Sequence, residues 1–545
     1  MTKEMSNADA PILAPTSRRN FIIGAGAGVV GAGLAPFSEL GAVLASASGQ
    51  VSSPPGLAVS VRDFGAAGDG VTNDTQAFLN LIAYVNARSG GVRVVIPPGL
   101  YVVGLQTSRP GGARFSGTEF AFRNCAQPIA IEGYGAILKH PDGMRFGSFN
   151  PTGAPYNPPS LPFYNAAYAA STGAMLSFIN CRSVSVKGLE LHGNSTNYVI
   201  GGMWGDRDRQ TRSYGLVFES CGNVLLEQIS AHHFGLDGAY VRNADSTETS
   251  PYAPFLLLNC TFEYNGRQGL SWVSGNGLTA INCKFNHTGY AVNSGTGRPL
   301  VSAPGAGVDL EAEYTNRQVS KVKGGRFINC EFVHTKGVAL LSDNPNPGFN
   351  DDDVSDMVFE NCLFWNFENY TLWTKRPRHT FRDCRIYGSP VNAYTSLTRP
   401  GDATKFYNCE FEDKAHPVYG SPFGEYVITY DGLFDGLVFR DCTVTANTRK
   451  AAIIRRGGAG TTPGRGFEME GCTIIVRSAA GPDAVLLQGG FVRRTRFIEA
   501  FTARPPVNLY VQTNGQTVVG DGVQVDGPVI KWLPGGVTGL IVKTW

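Results

Sequence analysis

The chain has 545 residues with a formal net charge of +2, 17% charged residues and 42% hydrophobic residues. That balance gives no basic stripe for nucleic acid and no charged surface that names a partner. The length is large for one globular core, whereas a solenoid grows along a single axis and escapes that limit.

In chain order, Ser17-Arg18-Arg19-Asn20-Phe21-Ile22-Ile23 precedes a Gly/Ala-rich apolar run, and Ala45-Ser46-Ala47 reads as a small-residue cleavage site. Residues 1–47 therefore resemble a twin-arginine export signal, which implies a periplasmic or secreted protein with no membrane segment in its mature form. A membrane anchor is the rival reading, although the run is weakly apolar for a spanning helix. Residues 48–58 read as a linker. Val61-Arg62-Asp63-Phe64-Gly65 and Gly68-Asp69-Gly70-Val71-Thr72-Asn73-Asp74 follow, then Ala77, Phe78, Leu81, Ile82 and Val85 at helical spacing. This spacing predicts an amphipathic helix with Asp74 as N-cap, ended by Gly90-Gly91. Val92 to Ile96 and Leu100 to Val103 read as strands around a Pro97-Pro98-Gly99 turn.

This segment resembles the N-terminal signature of the pectate-lyase-like β-helix superfamily, which includes glycoside hydrolases, lyases, epimerases and phage tailspikes. Asp63, Asp69 and Asp74 are expected to shape the turn and helix cap rather than to catalyse. Residues 140–170 interrupt the pattern with Phe146, Phe149, Tyr156, Phe163, Tyr164 and Tyr168. They form either an ordered insertion or a cleft wall that stacks on sugar rings.

From residue 178 onward a phrase recurs: apolar, polar, Cys, any, apolar. Examples are Leu258-Asn259-Cys260-Thr261-Phe262, Ile281-Asn282-Cys283-Lys284-Phe285 and Ile328-Asn329-Cys330-Glu331-Phe332. A repeat of this length in short β-branched and aromatic pieces predicts stacked coils. The fold class expected is all-β: a right-handed parallel β-helix over 59–505, with an N-terminal capping helix and C-terminal capping strands over 506–545. The 11 cysteines are expected to point inward as small apolar residues, with one or two disulfides as the alternative. No CxxC pair suggests a metal, so no metal ligands are assigned.

Three coils align on a Gly that leads a strand: Asp237-Gly238-Ala239-Tyr240-Val241-Arg242, Gln268-Gly269-Leu270-Ser271-Trp272-Val273 and Gly307-Val308-Asp309-Leu310-Glu311-Ala312-Glu313. If Val308, Leu310 and Ala312 face the core, Asp309, Glu311 and Glu313 face out. Asp309 then lies one coil from Ser271 and two from Tyr240. Asp237 has the wrong parity unless Gly238 bends the strand. The Gly/Ser/Pro-rich segment from Tyr290 to Ala306 should rise beside the acidic strand.

Clustered carboxylates suit glycoside cleavage, where one protonates the leaving oxygen and another activates water or attacks carbon. Asp309 and Glu311 are the leading catalytic candidates, with Glu313 and Asp237 as rivals or modulators. Candidate substrate contacts are Arg267, Gln268, His232, His233, Tyr240, Arg242 and Trp272. The parity of Trp272 favours core packing instead. Arg267 has a salt bridge as its rival role, and the two histidines a structural turn. A solvated acidic edge is the alternative for the whole cluster.

Three functions stay open: a glycoside hydrolase or transglycosylase needing no cofactor, a lyase or epimerase acting on uronates with Ca2+ and an Arg242 or Arg267 base, and a non-catalytic glycan binder. The partner in each is a polysaccharide or oligosaccharide, and β-helices also admit homo-oligomers. Polygalacturonase-type members of the superfamily carry an Asp-Asp pair and a Gly-His-Gly stretch. This chain has Leu236-Asp237-Gly238 and no Gly-His-Gly.

Overall fold

The structure, a computed structural model, describes residues 56–108, 115–157, 168–202, 210–242, 255–315, 318–343, 350–389, 391–393, 401–431, 437–447, 451–456, 467–477 and individual strands from 485 to 544. The expected export signal lies outside the described residues, as do Phe163 and Tyr164.

From Leu57 onward the chain winds through three parallel sheets in turn, as a right-handed parallel β-helix. Sheet I holds strands such as Phe255–Leu258, Leu278–Ile281, Arg326–Ile328 and Val358–Glu360. Sheet II holds Thr261–Glu263, Glu331–Val333 and Leu363–Asn366. Sheet III holds Ser213–Glu219, Asp237–Arg242, Gln268–Asn276, Ala306–Leu310, Leu340–Ser342 and Leu372–Thr374.

The recurring phrase is the corner of each coil. Asn259, Asn282, Asn329 and Asn361 occupy the left-handed region at φ 53°, 55°, 54° and 52°, which asparagine tolerates better than other side chains. Their amides form a ladder along the corner. Asn282 donates to Asn259 at 3.1 Å, Asn329 to Asn282 at 3.2 Å and Asn361 to Asn329 at 2.7 Å. The cysteine that follows turns inward, so Cys260 Sγ lies 3.4 Å from Leu258 O and 3.5 Å from Leu226 O of the coil before.

All eleven cysteines are free and buried. They form two columns. Cys125, Cys181 and Cys221 follow strands of sheet III and lead into sheet I, whereas Cys260 to Cys472 stand between sheets I and II. Ile229 fills the second column one coil before Cys260, since Thr261 N donates to Ile229 O at 2.8 Å. Beside the cysteines run columns of stacked phenylalanines, including Phe327–Phe359–Phe381–Phe406–Phe439 with centroids 5.1, 4.7, 4.8 and 5.2 Å apart. Such stacks add to the burial of each ring.

A helix, Thr75–Asn86, closes the first coil with Ala77, Phe78, Leu81, Ile82 and Val85 buried. It stops before Gly90-Gly91, at Ala87. Asp74 stands at the N-cap position, but its side chain makes no cap bond. The carboxylate instead accepts from Ala67 N at 2.5 Å and Gly68 N at 3.0 Å. Asp63 completes a capping box with Ser60, and Asp69 ties its own turn to Val71 and Thr72. At the other end, the strands expected as a separate cap, such as Leu509–Gln512 and Gln524–Asp526, pair in parallel with the coils before them and continue all three sheets.

Candidate active site

The outer face of sheet III carries the candidate residues, and its glycines explain why. A Cβ on Gly238 would stand 2.6 Å from Asn265 Nδ2 and 3.0 Å from Phe262 Cδ1, and one on Gly269 would stand 2.6 Å from Gly307 O. These glycines face the crowded interior. Ala239, Leu270 and Val308 also face it, so the strand alternation shifts at each glycine and the residues before them turn out. Asp237 and Gln268 therefore share a face with Tyr240, Ser271 and Asp309. Register places Asp237 beside Gln268, and Tyr240, Ser271 and Asp309 in one row across three coils.

That row is walled in. Asp309 is 1% exposed and Asp237 0%, although both stand on the outside of the coil. Arg267 forks onto Asp237, with Nε–Oδ1 at 2.8 Å and Nη2–Oδ2 at 2.5 Å, and its Nη1 donates to Gln210 Oε1 at 2.6 Å. Gln210 in turn donates to Ala303 O at 2.7 Å. The segment expected to rise beside the acidic strand thus closes one edge through Ala303. A second edge is built by the strands Arg145–Ser148 and Val199–Gly201, which pair in parallel. Phe146 and Phe149 are fully buried there, and Met144, Phe146, Tyr198 and Leu236 form a small separate core with Tyr214 packed against it. This removes Phe146 and Phe149 from any sugar-stacking surface.

Gln268 Nε2 donates to Asp309 Oδ2. Asp309 Oδ1 and Gln268 Oε1 are buried and have no hydrogen-bond partner among the described residues, a condition native structures seldom tolerate without a ligand or water. Burial pushes the Asp309 carboxyl well above its usual range, and the charge of Glu311 adds to this while Arg267 opposes it. A protonated Asp309 accepts from Gln268 at one oxygen and has the other free to donate.

Glu313 is held differently: it accepts from Tyr240 OH at 2.8 Å, and its own N–H donates to Ser320 Oγ at 2.8 Å. Burial and the Glu313 charge raise the Tyr240 hydroxyl, keeping it a donor. Tyr240 stacks on Tyr214 at 5.4 Å. Burial also raises the Asp237 carboxyl, against the pull of Arg267. Burial works against the Arg267 charge too, yet Asp237 holds its pKa well above the ordinary arginine value. The fork onto Asp237 gives Arg267 its rival role, the salt bridge, and favours that over a proton-abstracting base. Arg242 lies beyond the Val241 bulge, paired in register with Ser274 and Glu219.

Two expected groups lie elsewhere. Trp272 is 1% exposed inside the coil, its Nε1 donating to Ser274 O at 3.0 Å; inward parity places it in the core and removes it from the substrate contacts. His232 and His233 sit on sheet II and the corner after it, separated from Asp237 by the buried Phe234 and Leu236. Among the described residues, the group of His, Cys, Asp or Glu side chains close enough to share an ion is His192, His232 and His233. Among the described residues, the wall carboxylates Asp237, Asp309 and Glu313 do not form such a group.

Trp373 was not singled out from sequence. The row Ser271–Asp309 continues through Leu341 to Trp373, two coils past Asp309 or about 10 Å. Trp373 is half-buried on the outer face, donates to Asp343 Oδ2 at 3.0 Å, and carries Lys375 Nζ 4.6 Å from its ring centre. No glycine leads its strand, so alignment on the glycines stops short of it. Tyr-Thr-Leu-Trp alternation after Cys362 was the available signal.

Residues 58–120 match the family described as rhamnogalacturonase A/epimerase, pectate lyase-like. In solved structures the chain is similar to the A-module of the mannuronan C-5 epimerase AlgE4 of Azotobacter vinelandii, at 13% identity over 89% of this chain and 99% of that one, TM-score 0.39. It is also similar to the family 28 exopolygalacturonase of Yersinia enterocolitica, at 12% identity over 87% and 78%, TM-score 0.41. A third is the tailspike gp49 of Acinetobacter baumannii bacteriophage Fri1, a capsular polysaccharide depolymerase, at 12% identity over 90% and 64%, TM-score 0.30.

Proposed function

We propose that this β-helix is an exported carbohydrate-active enzyme that cleaves glycosidic bonds of a polysaccharide or oligosaccharide by carboxylate acid–base catalysis. The observation that carries the reading is Asp309. It is a carboxyl on the outer face of the coil, buried by flanking segments, kept protonated by that burial, and left with one oxygen unpartnered. A raised carboxyl pKa is what a general acid needs near neutral pH. Asp309 protonates the glycosidic oxygen as its bond to carbon breaks, and Glu311, two residues on along the same outer side, serves as base or nucleophile. Gln268 orients Asp309. Arg267 and Asp237 fix the floor beside it, and Tyr240 positions Glu313. The family matched by residues 58–120, whose description names a rhamnogalacturonase and an epimerase, supports a polysaccharide as substrate.

The test is to incubate the protein with a panel of neutral and uronate-containing glycans and read both product mass and ultraviolet absorbance. Reducing ends without new absorbance, lost in Asp309→Asn, is the expected result. An ultraviolet-absorbing unsaturated sugar would replace hydrolysis with elimination. Retention of a glycan with no product from any would remove catalysis altogether. Export by residues 1–47 belongs to the same proposal and is read by cell fractionation.

A further inference from the structure

His192 ends a strand of sheet II, and His232 is its direct register partner one coil on. His233 follows at the corner with φ 59°. This left-handed turn carries its ring back over His192, at 5.1 Å and 17° between planes. Three imidazoles from two coils thereby meet, each with a ring nitrogen within 4.8 Å of the others. We propose that His192, His232 and His233 form a binding site for a late first-row divalent metal ion such as Zn2+.

The hydrogen bonds at the site support this. His232 Nε2 lies 3.3 Å from Glu190 Oε1, and its Nδ1 lies 2.7 Å from His233 Nδ1. With Nε2–H donated to the carboxylate, His232 has its Nδ1 lone pair aimed at His233, and a single proton lies between the two rings. A carboxylate behind the distal nitrogen is the usual arrangement of a metal-ligating histidine. A cation that displaces that shared proton meets two lone pairs at once, once the rings part to the ~3.3 Å that two tetrahedral Zn–N bonds of about 2.0 Å require. His192 Nδ1 accepts from Asn194 N at 2.9 Å. Ligation through Nδ1 costs His192 that bond, about 1 kcal/mol net, small beside a metal–imidazole bond, and ligation through Nε2 keeps it.

Charge around the site is mixed but favourable to a cation. In the sheet, Lys139 flanks His192 and Glu263 flanks His232 on the far side, while Glu190 touches His232 directly. Imidazole donors suit Zn2+, Cu2+ and Ni2+ better than Ca2+ or Mg2+. Three protein ligands leave a fourth position for water or a ligand, the count of an open zinc site rather than a closed one.

The rival account is that these rings merely begin the corner ladder that continues through His233–Tyr264 at 5.2 Å, Tyr264–His287 at 4.7 Å and His334–Tyr419 at 3.7 Å. Stacking explains parallel rings. It does not explain the edge-on approach of His232 to both neighbours, at 67° and 81°, nor two nitrogens pointed at one another.

The experiment is calorimetric titration of untagged, chelator-stripped full-length protein with ZnCl2 alone, with Co2+ absorption as a check on coordination. Asparagine is tolerated at left-handed corners, so His233→Asn removes the ligand while keeping the turn, and His334→Asn is the matched control at φ 55°. Glu190→Gln leaves all three rings in place. Expected are one equivalent of Zn2+ on the parent and on His334→Asn, none on His233→Asn, and about 10–100-fold weaker binding in Glu190→Gln. No stoichiometric binding by the parent, or binding unchanged in both His233→Asn and Glu190→Gln, overturns the proposal.

Discussion

In an Asp309→Asn variant the amide keeps the shape of the carboxyl and an acceptor for Gln268, but it can neither deliver a proton to a leaving group nor hold a charge. Loss of the acid should cost about 10²–10⁴-fold in rate. The same substitution should change stability with pH in the opposite sense. Asp309 is buried and its folded pKa lies well above the ordinary value. Below the unfolded carboxyl pKa of about 3.9 both states are protonated, and the parent and variant differ by a constant. As pH rises past that point the unfolded chain ionises while the folded one does not, so the parent loses about 1.4 kcal/mol per pH unit from this group until the folded pKa is reached. The variant escapes that loss. Its new N–H2, if poorly bonded, adds a fixed penalty, so the slope and not the offset is diagnostic. Thermal melts of both proteins from pH 4 to pH 8 should show the Tm difference moving in favour of Asp309→Asn as pH rises, and levelling off only above the folded pKa. A difference that stays flat, or moves against the variant, would refute a raised carboxyl at this position and with it the assignment of the acid.

Arg267→Met should destabilise by about 3–5 kcal/mol, because it leaves Asp237 buried without its cation; the loss should shrink in acid, and Arg267→Met/Asp237→Leu should recover much of it, both read by denaturant midpoint. At the corner ladder, Asn329→Ala should cost about 1–2 kcal/mol from left-handed strain and lost ladder bonds, and Asn329→Gly clearly less. Trp373→Ala should raise KM about 3- to 10-fold with kcat retained, the signature of a stacking contact remote from the reacting bond; an unchanged KM would take Trp373 out of the substrate path.

The repeat was legible because each corner demands two things of adjacent residues. A left-handed backbone selects Asn or Asp, and a narrow inward step selects Cys. The phrase therefore revealed the coil, and alignment on Gly238, Gly269 and Gly307 gave the correct row of Tyr240, Ser271 and Asp309. What the phrase hid was that its first copies belong to a different corner. Cys181 and Cys221 have the same local chemistry as Cys260 but lead into another sheet, and only the pairing of strands separates them. Burial of the wall was not legible either. Asp309 reads as exposed from parity alone, and the segments that cover it, through Gln210 and Ala303, come from loops whose path no periodicity encodes. His192 escaped notice because its partners lie 40 residues on and meet it only through sheet register.

The cysteine columns set a condition on how the molecule must be made. Successive coils stand about 4.8 Å apart, and a disulfide accepts Cα separations of roughly 4.4–6.8 Å. Neighbouring thiols in a column therefore stand near bonding distance, and the packed coils bury every one of them. A chain that met an oxidising compartment while still open could crosslink almost any pair of its eleven thiols. Finished coils turn the same residues into a sealed interior, so that alkylation of these thiols would report, coil by coil, where the solenoid opens.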